Sequence, residues 1–136
     1  LRPSALDMGI ASALDWLAAN FQHRTGIPCE LGPMPENLRV EEDLAMVLFR
    51  VAQESLTNAA RYSEADRVRI SFEEDNGCYV LEIADNGKGF DAERIGPQKF
   101  GLVGMRERAL AVGGTTIIDT APGQGTRVRV TIPISN

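Results

Sequence analysis

Glu54, Asn58 and Arg61 stand at i, i+4 and i+7 in the segment QESLTNAARY. On a helix that spacing puts all three within one narrow stripe. An acid, an amide and a cation in one stripe can handle phosphate. Asn58 offers a neutral oxygen of the kind Mg²⁺ takes alongside water and phosphate ligands. Glu54 can hold a metal-bound water or accept a proton, and Arg61 can reach a phosphate. The same three residues also describe a solvated helix edge with an i,i+4 hydrogen bond, so alone they leave both readings open.

A second group follows. The apolar run YVLEIA ends in Asp85 and passes into DNGKGF. Asn-Gly is a strong turn signal, because both residues tolerate positive φ. A tight turn explains Asn86 and Gly87. It does not explain Gly89, nor the stretch DAERIGPQKFGLVGMRER, in which Gly101 and Gly104 arrive just as a helix begins. A hairpin would return at once into a second strand. This turn opens into a long loop punctuated by glycine, and such loops inside compact domains are usually functional or disordered.

These groups need elements to hold them. Residues 5–25 carry Leu6, Ile10, Ala13, Leu14, Leu17 and Phe21 at helical spacing, with Gly26 as the stop. Met8 and Trp16 fall with Phe21 on the apolar side, for packing within the domain or against helices from elsewhere. IPCEL reads as a short strand. Residues 41–61 form the longest helical pattern, with Leu44, Val47, Leu48, Val51, Ser55 and Ala59 along one side. RVRISFEE and CYVLEIAD alternate apolar and polar residues around the turn EDNG, and TTIIDTA and TRVRVTIPI do so around PGQG. Between the pairs, GLVGMRERALAVGG reads as a helix closed by glycines. Hairpins dominate and the strands alternate, so the expected fold is α/β (α+β): a two-layer sandwich, its mixed, mostly antiparallel sheet covered by helices on one face.

With 136 residues there is room for one domain with a real core. A net charge of −5 argues against a general nucleic-acid or anionic-membrane surface, though not against a local phosphate pocket. Cys29 and Cys78 are far apart and outside any CxxC pattern, so buried free thiols are expected rather than zinc. No apolar run approaches membrane-spanning length, and no signal peptide is visible. The start LRPSALDMG, without Met, suggests a piece of a longer protein.

QESLTNAARY, DNGKGF, GLVGMRERA and GQGT, in that order and at these spacings, resemble the ATP-binding catalytic domain of bacterial two-component sensor histidine kinases. That domain has the Bergerat fold of the gyrase, chaperone, histidine-kinase and MutL superfamily. ExxxN, DxGxG and GxxG are each weak patterns; jointly they are specific. The resemblance covers about residue 26 to the end. FGLVGMRERA and the lead-in look like the nitrate-sensor subfamily, which signals to helix-turn-helix response regulators and has a short loop where residues 89–101 fall. There residues 1–25 would be the end of the dimerisation domain or its linker helix, and 26–136 the catalytic domain.

The resemblance implies ATP and Mg²⁺ as ligands. Asp85 would accept a hydrogen bond from the adenine amino group, which guanine replaces with a carbonyl. Gly87 and Gly89 would let the backbone pass close to the base, and Thr126 would join Asp85 around it. Gly101, Leu102 and Gly104 would set free N–H groups of a helix start beside the phosphates. The 89–100 loop would act as a lid, from which Lys99 could reach the phosphates. Asn58 would hold Mg²⁺, Glu54 would assist the acceptor imidazole or order the metal water, and Arg61 would contact phosphate. Tyr62 stands where many members have His, and its hydroxyl could serve the ribose–phosphate region. Lys88 is expected to meet solvent.

His23, the only histidine, sits at a helix end with no acid beside it and is not expected to be the phosphate acceptor. The acceptor would lie upstream, on the protein's own dimerisation domain, so the fragment is expected to be monomeric and the parent homodimeric. The domain would be cytoplasmic, on a parent that could be membrane-anchored. Two rival readings are an anti-sigma-type serine kinase and a degenerate module that binds partners without nucleotide.

Overall fold

The computed structural model describes residues 3–35, 38–91, 96 and 99–134. The periodic run near the start divides at Gly9. Ser4–Met8 is a 3-10 turn, and helix α1 spans Ile10–Thr25. Gly9 has φ 93°, which glycine adopts freely, so the chain bends there instead of forming one helix. Gly26 closes α1 in the left-handed conformation, donating its N–H to the Gln22 carbonyl.

Strand β1 is Cys29–Leu31. Helix α2 is Glu42–Asn58, with Glu42 and Asp43 in its first turn, where its dipole favours negative charge. At Ala59 the helix widens into a π turn, Ala59–Ser63, before β2 (Val68–Asp75) and β3 (Cys78–Asp85). Helix α3 is Lys99–Leu110, followed by β4 (Thr115–Thr120) and β5 (Thr126–Pro133). Asn76 and Gly77 both have positive φ, as a tight β2–β3 turn requires.

The sheet runs in the order β1-β2-β3-β5-β4. β1 is parallel to β2 and every other pair is antiparallel. Strand alternation sends Val68, Ile70 and Phe72 of β2, Leu81 and Ile83 of β3, and Val128, Val130 and Ile132 of β5 to one side. They meet Leu14 and Phe21 of α1, Leu48 and Phe49 of α2, and Leu102 and Met105 of α3 in a shared core. The opposite face carries Arg127 and Arg129, both paired with Glu82 at 3.4 Å. Helices cover one face of the sheet, which is the two-layer arrangement expected.

Of the three large residues assigned to the apolar side of the first helix, only Phe21 is buried. Met8 and Trp16 are 82% and 51% exposed. Met8 is carried outward by the break at Gly9, and Trp16 lies off the buried stripe of Ala13, Leu14, Leu17 and Phe21. Among the described residues, no helix is long and apolar enough to cross a membrane.

Candidate functional site

A cavity of about 280 Å³ opens between α2 with its π turn, the loop after β3, the start of α3, and β5. Six residues singled out from the sequence line it: Asn58, Tyr62, Asp85, Gly89, Leu102 and Thr126. Ser55, Ala59, Ser63, Lys88, Phe90, Gly96 and Val128 complete the wall. Apolar residues form the body and a few polar groups converge, as in a typical small-molecule pocket.

Asp85 ends β3 and stands opposite Thr126, which begins β5. Its Oδ1 accepts the Gly87 N–H at 2.8 Å, and the Thr126 backbone N–H also bonds the carboxylate. Burial pushes this carboxyl above its ordinary pKa, and the two backbone hydrogen bonds pull it part of the way back. The ionised group is an acceptor only, held at a fixed angle by the main chain.

The loop after β3 is pinned from both sides. The Asn86 Oδ1 accepts the N–H groups of Asp66 and Arg67 at 2.9 and 3.0 Å. The Lys88 N–H donates to the Ser63 carbonyl at 2.7 Å, and the Lys88 carbonyl accepts the Gly123 N–H at 2.6 Å. A Cβ at Gly87 would collide with the Ser63 carbonyl, one at Gly89 with the Ala121 carbonyl, and one at Gly125 with the Asp85 carbonyl. The sequence suggested that Gly87 and Gly89 clear space for a ligand. In the structure they clear space for neighbouring backbone, and only Gly89 also borders the cavity.

With this geometry in place, comparison with known proteins is informative. Residues 44–136 match the family described as histidine kinase-, DNA gyrase B-, and HSP90-like ATPases. The chain belongs to this ATPase family. The signal transduction histidine-protein kinase/phosphatase DegS of Brevibacillus brevis is 36% identical over 136 residues, covering 99% of this chain and 35% of that protein. The chain thus spans about a third of that relative's length. Among solved structures, the histidine kinase domain of the Erythrobacter litoralis EL346 blue-light activated histidine kinase aligns at TM-score 0.76 and 19% identity, over 92% of this chain and 61% of that one. The mycobacterial sensor histidine kinase MprB aligns at 0.69 and 22%, over 89% and 91%. At such identities these two similarities establish the fold. The expectations of this family, this fold and an ATP-binding domain are borne out.

Not every residue expected at the ATP site reaches the cavity. Arg61 is exposed and lies outside its wall. The i, i+7 spacing puts Arg61 on the Glu54 side of the helix, and neither residue lines the cavity. Counted at about 100° per residue from Asn58, Tyr62 falls on the side of Ser55, which faces the cavity, whereas Arg61 falls on the side of Glu54, which does not. Glu54 faces a neighbouring hollow between α2 and α3, shared with Arg50, Phe100, Gly101, Gly104 and Arg108. Its carboxylate sits over Gly101, where a Cβ would strike it.

The glycines of α3 also fall differently than expected. The helix already starts at Lys99, so Gly101 is in its first turn and Gly104 in its body. Only the first-turn N–H groups lack an intrahelical acceptor, which leaves Gly101 and not Gly104 to offer one. Lys99 opens the helix, but its side chain lies outside the described residues, as do residues 92–95, 97 and 98 of the 89–100 loop expected to act as a lid. Lys88 is exposed, as expected; it also borders the cavity and pairs with Glu64 at 3.5 Å.

Among the described residues no cluster of three or more His, Cys, Asp or Glu could hold a metal ion unaided. Asn58, half-buried at the cavity wall, supplies a single neutral oxygen. That suits Mg²⁺ held mainly by phosphate and water. Ser63 was missed by the sequence reading because its contribution is a backbone carbonyl, which no side-chain pattern announces.

Proposed function

We propose that this chain is the catalytic ATP-binding domain of a sensor histidine kinase. It presents ATP so that a histidine on a separate helical dimerisation domain attacks the γ-phosphate, for later relay to a helix-turn-helix response regulator. The single observation that carries the nucleotide reading is the Asp85 carboxylate, fixed by backbone N–H groups at a cavity wall. A rigid acceptor there favours the adenine amino group over the guanine carbonyl, which would leave two acceptors facing each other.

The remaining roles follow from position. Asn58 would hold Mg²⁺, which when bound neutralises phosphate charge and orients the γ-phosphate. Tyr62 can donate its hydroxyl to the ribose–phosphate region. Gly101 can offer its N–H to phosphate at the start of α3, with Leu102 packing beside it. Lys99 is a candidate phosphate ligand at the same helix end. Glu54, in the hollow next to the cavity, would meet the incoming acceptor imidazole as proton acceptor or as its orienting partner. Residues 1–25 would lead from the dimerisation domain of a homodimeric parent, with this domain on the cytoplasmic side. Similarity to the Brevibacillus histidine-protein kinase/phosphatase DegS supports this reading over a serine kinase.

The test is phosphotransfer in trans. The chain is mixed with a separately produced dimerisation domain from the parent, Mg²⁺ and γ-labelled ATP. Acid-labile, base-stable label on the acceptor domain is the expected result. Acid-stable label on a partner protein would move the assignment to the serine-kinase class, and a folded chain with no affinity for ATP would move it to a partner-binding module.

A further inference from the structure

Thr120, the last residue of β4, is absent from every motif discussed above, yet it gathers three polar contacts behind the cavity. Its Oγ1 donates to the Gly125 carbonyl at 3.1 Å and accepts the Phe90 N–H at 3.1 Å. The Thr126 Oγ1 lies 3.0 Å away. A threonine hydroxyl has one hydrogen and two lone pairs. Gly125 is buried, and the Thr120 hydroxyl is the donor that meets its carbonyl. With that hydrogen committed, the contact between the two hydroxyls has one direction: Thr126 donates and Thr120 accepts.

The consequence reaches the ligand. The hydrogen of Thr126 is turned back into the protein, so its oxygen meets the cavity as an acceptor. Beside it stands Asp85, its partner across β3 and β5 and also an acceptor. We propose that Thr120 is a positioning residue for nucleotide specificity: by consuming the Thr126 hydrogen it makes the base-binding wall acceptor-only, tuned to a purine edge that carries an amine. Without Thr120 the Thr126 hydroxyl can rotate and donate, and the wall then tolerates a purine with a carbonyl at that edge. The residue acts through Thr126 and needs no contact with the ligand. The inference rests on the ATP-site reading given above.

The probes are ATP and inosine triphosphate, which carries a carbonyl where ATP carries the amine. Both are titrated by calorimetry into the wild-type chain, Thr120→Val and Thr120→Ser. Valine keeps the β-branched shape suited to a strand and removes the hydroxyl; serine keeps the hydroxyl. The ratio of the inosine triphosphate Kd to the ATP Kd is expected to fall about tenfold in Thr120→Val, the scale of one redirected hydrogen bond, and to return to the wild-type value in Thr120→Ser. A role confined to packing would weaken both nucleotides equally and leave the ratio unchanged, which would overturn the proposal. If Thr120→Val does not fold, Thr120→Ala carries the same comparison. Selective ATP binding by wild type with an unchanged ratio in the variant sinks this inference alone. No ATP binding by folded wild type sinks the ATP-site reading as well.

Discussion

Replacing Asp85 by Asn is the sharpest perturbation the site allows. The side chain keeps its size. One oxygen can still accept the Gly87 N–H, now at 2.8 Å, so the loop after β3 keeps its anchor. The other oxygen becomes an NH₂ group, which reverses the polarity presented to the ligand. An amine on the base then meets a donor instead of a charged acceptor. A hydrogen bond to a charged group contributes about 1.5–3 kcal/mol. Asp85 is only partly buried, so solvent screening trims that to about 2 kcal/mol, and the donor–donor encounter adds about 1 kcal/mol. ATP affinity should therefore fall about a hundredfold, while inosine triphosphate should bind as well as before or better.

The folded protein should not suffer from this substitution. Burial raises the Asp85 pKa, so the ionised carboxylate costs the folded state free energy relative to the unfolded chain. That cost is fully present above the raised folded value. It fades as pH falls from there to the ordinary carboxylate value, and below that it vanishes. Asp85→Asn should thus melt at the same temperature as wild type or slightly higher at neutral pH, with the gap closing under acid. In wild type, ATP binding should weaken as pH drops through the same window, because protonation removes the acceptor. Calorimetric titration and thermal melts measure both. A folded Asp85→Asn protein that binds ATP within threefold of wild type would refute the reasoning.

Other predictions concern the proposed metal ligand and the frame. Asn58→Ala should abolish the gain in ATP affinity that Mg²⁺ brings, about tenfold for one lost ligand contact, while binding in EDTA stays near wild type; paired calorimetric titrations decide it. Gly87→Ala should destabilise by about 3 kcal/mol through collision with the Ser63 carbonyl, read from urea midpoints at constant slope. Leu14→Ala should cost about 3 kcal/mol, because α1 is part of the shared core; a loss under 1 kcal/mol would show that residues 10–25 are only appended to the sandwich.

Much of this was legible in the sequence for identifiable reasons. Strand alternation in VRISFEED and TRVRVTIP encodes the buried face directly, and Asn58, Asp85 and Thr126 sit in short patterns that survive folding unchanged. Arg61 lies outside the cavity wall because its i, i+7 spacing ties it to Glu54, on the side of α2 away from Tyr62; which side of a polar stripe meets a pocket is set by the packing of other elements. Met8 was misplaced because a glycine inside a periodic run reads as tolerated, whereas Gly9 breaks the helix. Glu54 kept its place on α2, but which hollow it faces depends on how α3 crosses α2, a tertiary fact. The roles of Gly87 and Gly125 depend on which carbonyl lies opposite, and that is set by chain segments far away in sequence.

The strand order carries a consequence for the chain during its synthesis. β5 is last in sequence but lies inside the sheet, between β3 and β4. Until the ribosome has released it, β3 has no partner on that side, and a row containing Leu81 and Ile83 stands as an open apolar edge. Thr126 arrives with the same strand, so the cavity between α2, α3 and β5 has no complete wall before then. A nascent chain is therefore at its most aggregation-prone, and its cavity incomplete, until β5 is threaded into the middle of what has already folded. Ligand binding would then report that β5 has been made and threaded into place, and chaperone contacts should concentrate on chains stalled between residues 85 and 126.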